Sequence, residues 1–103
     1  MGVFQIRNNI TGKSFVGSSA NLPGKFNSHK MQLETGNHMS KDLQNDWDEQ
    51  GEDAFTFEVL EYLEPLDDPS RDYSDDLKFL ESVWLDKLRP YGAQGYNREK
   101  RKP

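Results

Sequence analysis

The start of the chain carries two short apolar runs that predict a pair of β-strands. Gly2–Ile6 and Phe15–Gly17 contain the β-branched and aromatic residues that pack well on a pleated sheet. Asn8–Gly12 separates them, and Asn and Gly tolerate the positive φ angles that tight turns require. We therefore predict an N-terminal β-hairpin.

A first helix is predicted between Asn21, a good N-cap, and Gly36, a plausible C-terminal stop. Residues at spacings of four, three and four form one face of this helix: Leu22, Phe26, His29 and Leu33. His29 lies within that apolar face. It is either a core histidine with its hydrogen bonds satisfied or a functional group.

Ser40 predicts the N-cap of a second helix that ends at about Glu49, with Gly51 as its stop. Phe55, Phe57 and Val59 then alternate with polar residues, which is the period of a half-buried strand. We expect this third strand to join the hairpin.

A third helix is predicted to start at Ser74, after an exposed loop over 64–73, and to end before Pro90. Its apolar face consists of Leu77, Leu80, Trp84 and Leu88. Glu81 lies on the same face, where a carboxylate is costly unless it is paired or binds a metal. An edge position or a structural salt bridge would also explain it.

Length and composition indicate one small domain with no membrane span. The chain has 103 residues, no cysteine and no run of 18 apolar residues, and it begins without a basic and apolar leader. The lack of cysteine excludes disulfides, zinc ribbons and thiol nucleophiles, and we expect a cytoplasmic protein.

Charge is distributed unevenly, although the net value of −5 by itself argues against a nucleic-acid partner. Positions 1–45 sum to +3, positions 46–97 to −11, and the tail 98–103 to +3. This pattern fits either a solvated acidic surface or a molecule with one basic face and an acidic back.

The hairpin residues carry a resemblance to a known family. Gly2-Val3-Phe4 and Phe15-Val16-Gly17 are similar to the paired triplets that name the GIY-YIG nucleases. Other segments match that pattern further along the chain: Lys25 to His29, His38 to Ser40, Leu43 to Trp47, Gly51 to Phe55, Glu81, and Gly95 to Asn97.

The resemblance implies an α+β domain over 1–97, a small three-stranded antiparallel sheet flanked by helices, followed by a basic tail over 98–103. It also implies a DNA endonuclease that uses Mg²⁺ or Mn²⁺, with Glu81 as the metal ligand. The matching catalytic positions are Phe4, Phe15, Lys25, His29 and Asn97. The expected nucleic-acid contacts are Lys13, Lys25, His38 and Arg98.

The chain departs from the family pattern at three catalytic positions. Phe4 and Phe15 replace tyrosines and Lys25 replaces an arginine, so two hydroxyls and one bidentate cation are lost.

Three functions are compatible with these departures. The first is a working nuclease in which His29 or a metal hydroxide replaces the tyrosine. The others are a catalytically weakened nucleic-acid-binding domain and a protein-interaction module with an acidic face. No targeting module is attached, so specificity would lie in this domain or in a protein partner.

Overall fold

The computed structural model describes residues 1–64 and 72–97. Its single sheet has the antiparallel order β2-β1-β3, so β1 is central and β2 is an edge strand. The elements are β1 (Gly2–Asn8), β2 (Ser14–Ser19), α1 (Leu22–Thr35), α2 (Lys41–Gln50), β3 (Phe55–Tyr62) and α3 (Ser74–Leu88). The predicted α+β class and element order are confirmed.

The sheet is covered on both faces. Phe4 contacts Phe26 of α1 on one face, at 5.3 Å between ring centroids, and Trp47 of α2 contacts Phe55 of β3 at 5.4 Å. Helix α3 packs on the other face, mainly against β2 and β1. The main apolar core therefore lies between the sheet and the first two helices.

The predicted ends of α1 and α2 are confirmed by their caps. The Asn21 side chain accepts a hydrogen bond from the Gly24 amide at 3.1 Å, and Gly36 adopts φ 81° at the C-terminal end. The Ser40 hydroxyl accepts from the Leu43 amide at 3.4 Å. Local side-chain chemistry therefore determines these helix boundaries.

The predicted cap and apolar face of α3 are partly wrong. Ser74 is the first helical residue and not the cap, and its amide and hydroxyl both donate to the Asp72 carboxylate, at 2.9 and 2.7 Å. Leu77 is buried, whereas Leu88, in the last turn of α3, is 37% exposed. Most of the predicted loop over 64–73, and the whole tail 98–103, lie outside the described residues.

The segment after α3 returns to the free edge of β2. The Tyr96 amide donates to the Ser14 carbonyl and the Asn97 amide donates to the Pro90 carbonyl, both at 2.9 Å. Gly95 lies between them, and a Cβ there would come within 2.3 Å of the Pro90 backbone. Only glycine fits this position.

Replacing Gly95 by alanine should therefore displace the segment and lower the free energy of unfolding by on the order of 3 kcal/mol. The control is Gly92→Asn, because Gly92 has φ 57°, which asparagine tolerates, and open space around its Cβ position. Urea denaturation of both variants measures the difference. Equal stabilities would show that the segment is not held as described.

Candidate active site

The two motif phenylalanines lie on adjacent strands and on the same face of the sheet. Phe4 pairs with Gly17 and Ile6 pairs with Phe15, so the two rings are one pleat apart. A Cβ at position 17 would lie 2.8 Å from Cζ of Phe4, which explains the glycine. Phe4 is fully buried, whereas Phe15 is partly exposed.

Two histidines lie beside these rings. His29, on α1, has its ring centroid 5.5 Å from that of Phe4 and 5.4 Å from that of Phe15. Its Nδ1 is 2.8 Å from Nε2 of His38, which belongs to the loop between α1 and α2. The other ring nitrogen of His38, Nδ1, accepts a hydrogen bond from the Ser40 amide at 3.0 Å.

These contacts give His38 an internal role. It is buried, and both of its ring nitrogens are used within the protein. Its own amide donates to the Gln44 side chain at 3.1 Å. The His38 ring therefore has no free nitrogen for the predicted nucleic-acid contact.

His29 has one unpaired ring nitrogen. The side chain is 1% exposed, and Nε2 has no hydrogen-bond partner among residues 1–64 and 72–97. Burial, together with the charges of His38 and Lys25, lowers the pKa of His29 from 6.5 to about 4. His29 is therefore neutral at neutral pH.

Lys25 lies on the exposed side of α1, one helical turn before His29. Its positive charge contributes to the lowered pKa of His29. A lysine ammonium offers an anion a point charge but not the planar fork of an arginine.

Glu81 reaches the hairpin from α3. The Ser18 hydroxyl donates to Oε1 of Glu81 at 2.8 Å, and Ser18 directly follows Gly17. Strand alternation places the Ser18 side chain on the face opposite to Phe15 and Gly17. Glu81 therefore lies on the opposite face of the sheet from Phe4, Phe15 and His29.

The side-chain amide of Asn97 binds the backbone of β2. Its Oδ1 accepts from the Val16 amide and its Nδ2 donates to the Val16 carbonyl, both at 2.8 Å. One N–H and one oxygen lone pair of the amide remain outside these two bonds. Asn97 therefore has a structural role, and its catalytic role stays a prediction.

The neighbouring Tyr96 is a site residue that sequence reasoning did not single out. Its hydroxyl donates to Asp46 at 2.7 Å and accepts from Asn8 at 3.0 Å. Burial and the Asp46 carboxylate raise the pKa of Tyr96 to about 12, so the phenol stays protonated. The Gly-Tyr-Asn motif was the available signal, since a buried tyrosine hydroxyl usually needs a partner.

A cleft of about 620 Å³ opens next to this network. Its lining residues are Phe15, Met39, Ser40, Lys41, Asp42, Tyr96 and Asn97. Lys13 lies at one side of it, with its ammonium 5.8 Å from the centre of the Tyr96 ring. Phe15 therefore separates His29 and His38 from the open cleft, which has Lys13 and Lys41 beside it. Arg98, a predicted contact, lies outside the described residues.

The comparisons with known proteins agree with this arrangement. The model of the GIY-YIG catalytic domain matches positions 1–97. This chain belongs to the GIY-YIG family. Among proteins of curated function, none matches it.

Two solved GIY-YIG structures are similar to it over nearly their whole length. The catalytic domain of the homing endonuclease I-TevI has a TM-score of 0.79 at 28% identity, covering 96% of this chain and 98% of that one. A glutamate-to-alanine mutant of the catalytic domain of intron endonuclease I-TevI has a TM-score of 0.75 at 28% identity, with 93% and 90% covered.

In this GIY-YIG domain the predicted site residues fall into three groups. Phe4, Phe15 and His29 form one contact cluster, and Lys25 lies one helical turn before His29 on α1. Glu81 approaches the same hairpin from the other face. Asn97 holds the C-terminal segment to the edge of β2. No helix in the described ranges has the length and apolar character needed to cross a membrane.

Proposed function

We propose that this protein is a divalent-metal-dependent DNA endonuclease with a weakened active site. Family membership supports nuclease chemistry. The observation that carries the proposal is the carboxylate of Glu81, held against the motif hairpin by Ser18 at 2.8 Å. A carboxylate at this position is the metal ligand that the family pattern implies.

The residues at the hairpin fit Mg²⁺ or Mn²⁺ bound with the substrate rather than in a complete protein cage. Within the described ranges, no three His, Asp or Glu side chains cluster as a ready-made metal site. One carboxylate is enough for Mg²⁺, which keeps several waters and takes phosphate oxygens as ligands. When bound, such an ion would polarise the phosphate and acidify its bound water.

The site is weakened because its aromatic positions lack hydroxyls. Phe4 and Phe15 present only carbon to the interior around His29. Proton transfer by a positioned side chain is worth ~10²–10⁴-fold in rate. Lys25 supplies positive charge for a phosphate but loses the bidentate geometry of arginine. We therefore expect slow cleavage.

DNA is proposed to lie along the cleft beside Phe15, with its backbone near Lys13, Lys25 and Lys41. Affinity should then fall with salt, because each lysine that neutralises a phosphate releases counterions. Lys25→Ala should weaken binding and reduce the salt slope by about 0.9. This is measured by fluorescence anisotropy with a labelled duplex at several salt concentrations.

Lys30→Ala is the matched control, since Lys30 lies on the same helix but its ammonium is 2.8 Å from Glu52. It should bind DNA like the parent protein. Equal losses of DNA affinity in Lys25→Ala and Lys30→Ala would show that the DNA backbone does not bind at Lys25.

A second candidate function is DNA binding without cleavage. The phenylalanines at positions 4 and 15 favour it, because neither ring carries a hydroxyl that could transfer a proton. Both candidates predict salt-dependent binding, so only the chemical step separates them. The deciding experiment is nicking of supercoiled plasmid in Mg²⁺ or Mn²⁺ against the same reaction with chelator. Metal-dependent nicking supports the endonuclease, and its absence in a folded, DNA-binding protein supports the binding module.

A further inference from the structure

The hydrogen bonds that link the Ser40 amide, His38 and His29 can be assigned a single donor-to-acceptor direction. The Ser40 backbone amide can only donate, and it lies 3.0 Å from Nδ1 of His38. That nitrogen must therefore be the bare acceptor of the ring. A neutral imidazole carries one ring proton, so the proton of His38 is on Nε2.

The protonation of His38 then determines which ring nitrogen of His29 carries its proton. The Nε2–H of His38 points at Nδ1 of His29 over 2.8 Å, and Nδ1 must accept. The single proton of the neutral His29 ring is then on Nε2. The reverse direction would leave His38 with two acceptor nitrogens and no proton, which is an imidazolate and is not accessible near neutral pH.

We infer that the Ser40 amide and His38 fix the tautomer of His29, which makes His29 a neutral hydrogen-bond donor at Nε2 and excludes it as the general base. This departs from the expectation that His29 replaces the missing tyrosine. His38 and the Ser40 amide are positioning groups, because they act only through the His29 ring.

The donor at Nε2 lacks an acceptor in the protein. The atom is buried and unpaired, and a buried unpaired donor in a folded protein needs an explanation. The His29 ring contacts the rings of Phe4 and Phe15, which carry no hydroxyl. An N–H donor suits an anionic oxygen, and phosphate is the oxygen anion that a nuclease substrate supplies. Because His29 is 1% exposed and Phe15 lines the cleft, Phe15 must move aside for such an oxygen to reach Nε2. This last step rests on the proposed function.

The tautomer itself is tested without DNA. The chain has two histidines, so a long-range ¹H–¹⁵N spectrum of the uniformly labelled protein at pH 7 shows only two rings. His29→Gln assigns the signals. We expect both rings to be neutral, with Nε2 protonated and Nδ1 bare. A His29 ring with bare Nε2, or a charged ring, would overturn the inference whether or not the protein cleaves DNA.

The positioning role is tested in the same spectrum. His38→Leu removes the proton aimed at His29, so the His29 ring should become a mixture of tautomers. His38→Gln keeps an amide donor and should restore the single Nε2–H form. If the His29 tautomer is unchanged in a folded His38→Leu variant, His38 does not fix it.

The role toward substrate is tested with two replacements of His29 itself. Glutamine keeps an N–H donor but cannot act as a base, whereas leucine has neither property. A donor role predicts that His29→Gln retains at least a tenth of the parent cleavage rate and that His29→Leu falls well below it. Equal loss in two folded variants would contradict the donor role, and a parent that never cleaves would contradict the proposed function while the spectrum still decides the tautomer.

Discussion

Replacing Glu81 by glutamine should lower metal-dependent DNA cleavage by at least about 100-fold, the loss typical of one electrostatic group at a reaction centre. Glutamine keeps an oxygen that accepts the Ser18 hydrogen bond and removes only the charge that would hold the metal. The domain should stay folded, because the carboxylate makes no ion pair with residues 1–64 or 72–97 that the change would break. Initial nicking rates at fixed salt, and Mn²⁺ titration followed by paramagnetic broadening, measure the two effects.

Glu61→Gln provides the matched control. Glu61 also contacts α3, through the Trp84 indole at 2.9 Å, so the change removes the same charge from the same part of the fold. It should leave cleavage and Mn²⁺ binding within about twofold of the parent, the scatter typical of a surface change with no mechanism behind it. If Glu81→Gln unfolds or the two variants behave alike, Glu81 is a structural residue.

The triple change Phe4→Tyr, Phe15→Tyr and Lys25→Arg should raise metal-dependent cleavage at least tenfold, a barrier change of about 1.4 kcal/mol. The new hydroxyls would be added to the two rings that contact His29, whose Nε2 is unpaired. A phenol oxygen that accepts a hydrogen bond there would have its pKa lowered, which favours proton acceptance from water. Arginine at position 25 would add a second bond to phosphate.

Single changes should do less, because residues that act as a unit are not additive. Phe15 is partly exposed at the cleft and should accept a hydroxyl readily, whereas Phe4 is fully buried with its Cζ against Gly17. Thermal unfolding of each variant therefore accompanies the rate measurement. The triple variant with Glu81→Ala is the control for mechanism and should be inactive. An unchanged rate in a folded triple variant would mean that hydroxyls do not limit the reaction.

The boundaries of the first two helices could be predicted from the sequence because their capping residues lie within a few positions of the helix ends. Asn21, Gly36 and Ser40 cap or end their helices through bonds within a few residues, which a sequence pattern contains. The predicted start of α3 at Ser74 is confirmed, but Ser74 does not cap the helix, because its amide donates to the Asp72 carboxylate two residues earlier. Leu88 is exposed although it shares the spacing of the apolar face, because helical spacing alone does not determine tertiary packing.

The sequence predicts which residues belong to the candidate site, but not which of their groups hydrogen-bond to one another. The apolar face of α3 makes Glu81 a candidate and the family pattern makes it the expected metal ligand, but its partner Ser18 is 63 residues away. The direction of the histidine chain depends on a backbone amide at Ser40, and no residue pattern encodes that contact. Asn97 matched a motif position, and only its two bonds to Val16 show what the amide does.

The most direct test of the central claim is a plasmid-nicking assay on the parent protein and Glu81→Gln purified in parallel. Supercoiled DNA is incubated at fixed salt with Mg²⁺, with Mn²⁺, or with chelator. We predict open-circular product from the parent in either metal, none with chelator, and at least about a 100-fold slower reaction from Glu81→Gln. Nicking that survives the chelator, or equal rates from the two proteins, would contradict a metal-dependent endonuclease built on Glu81.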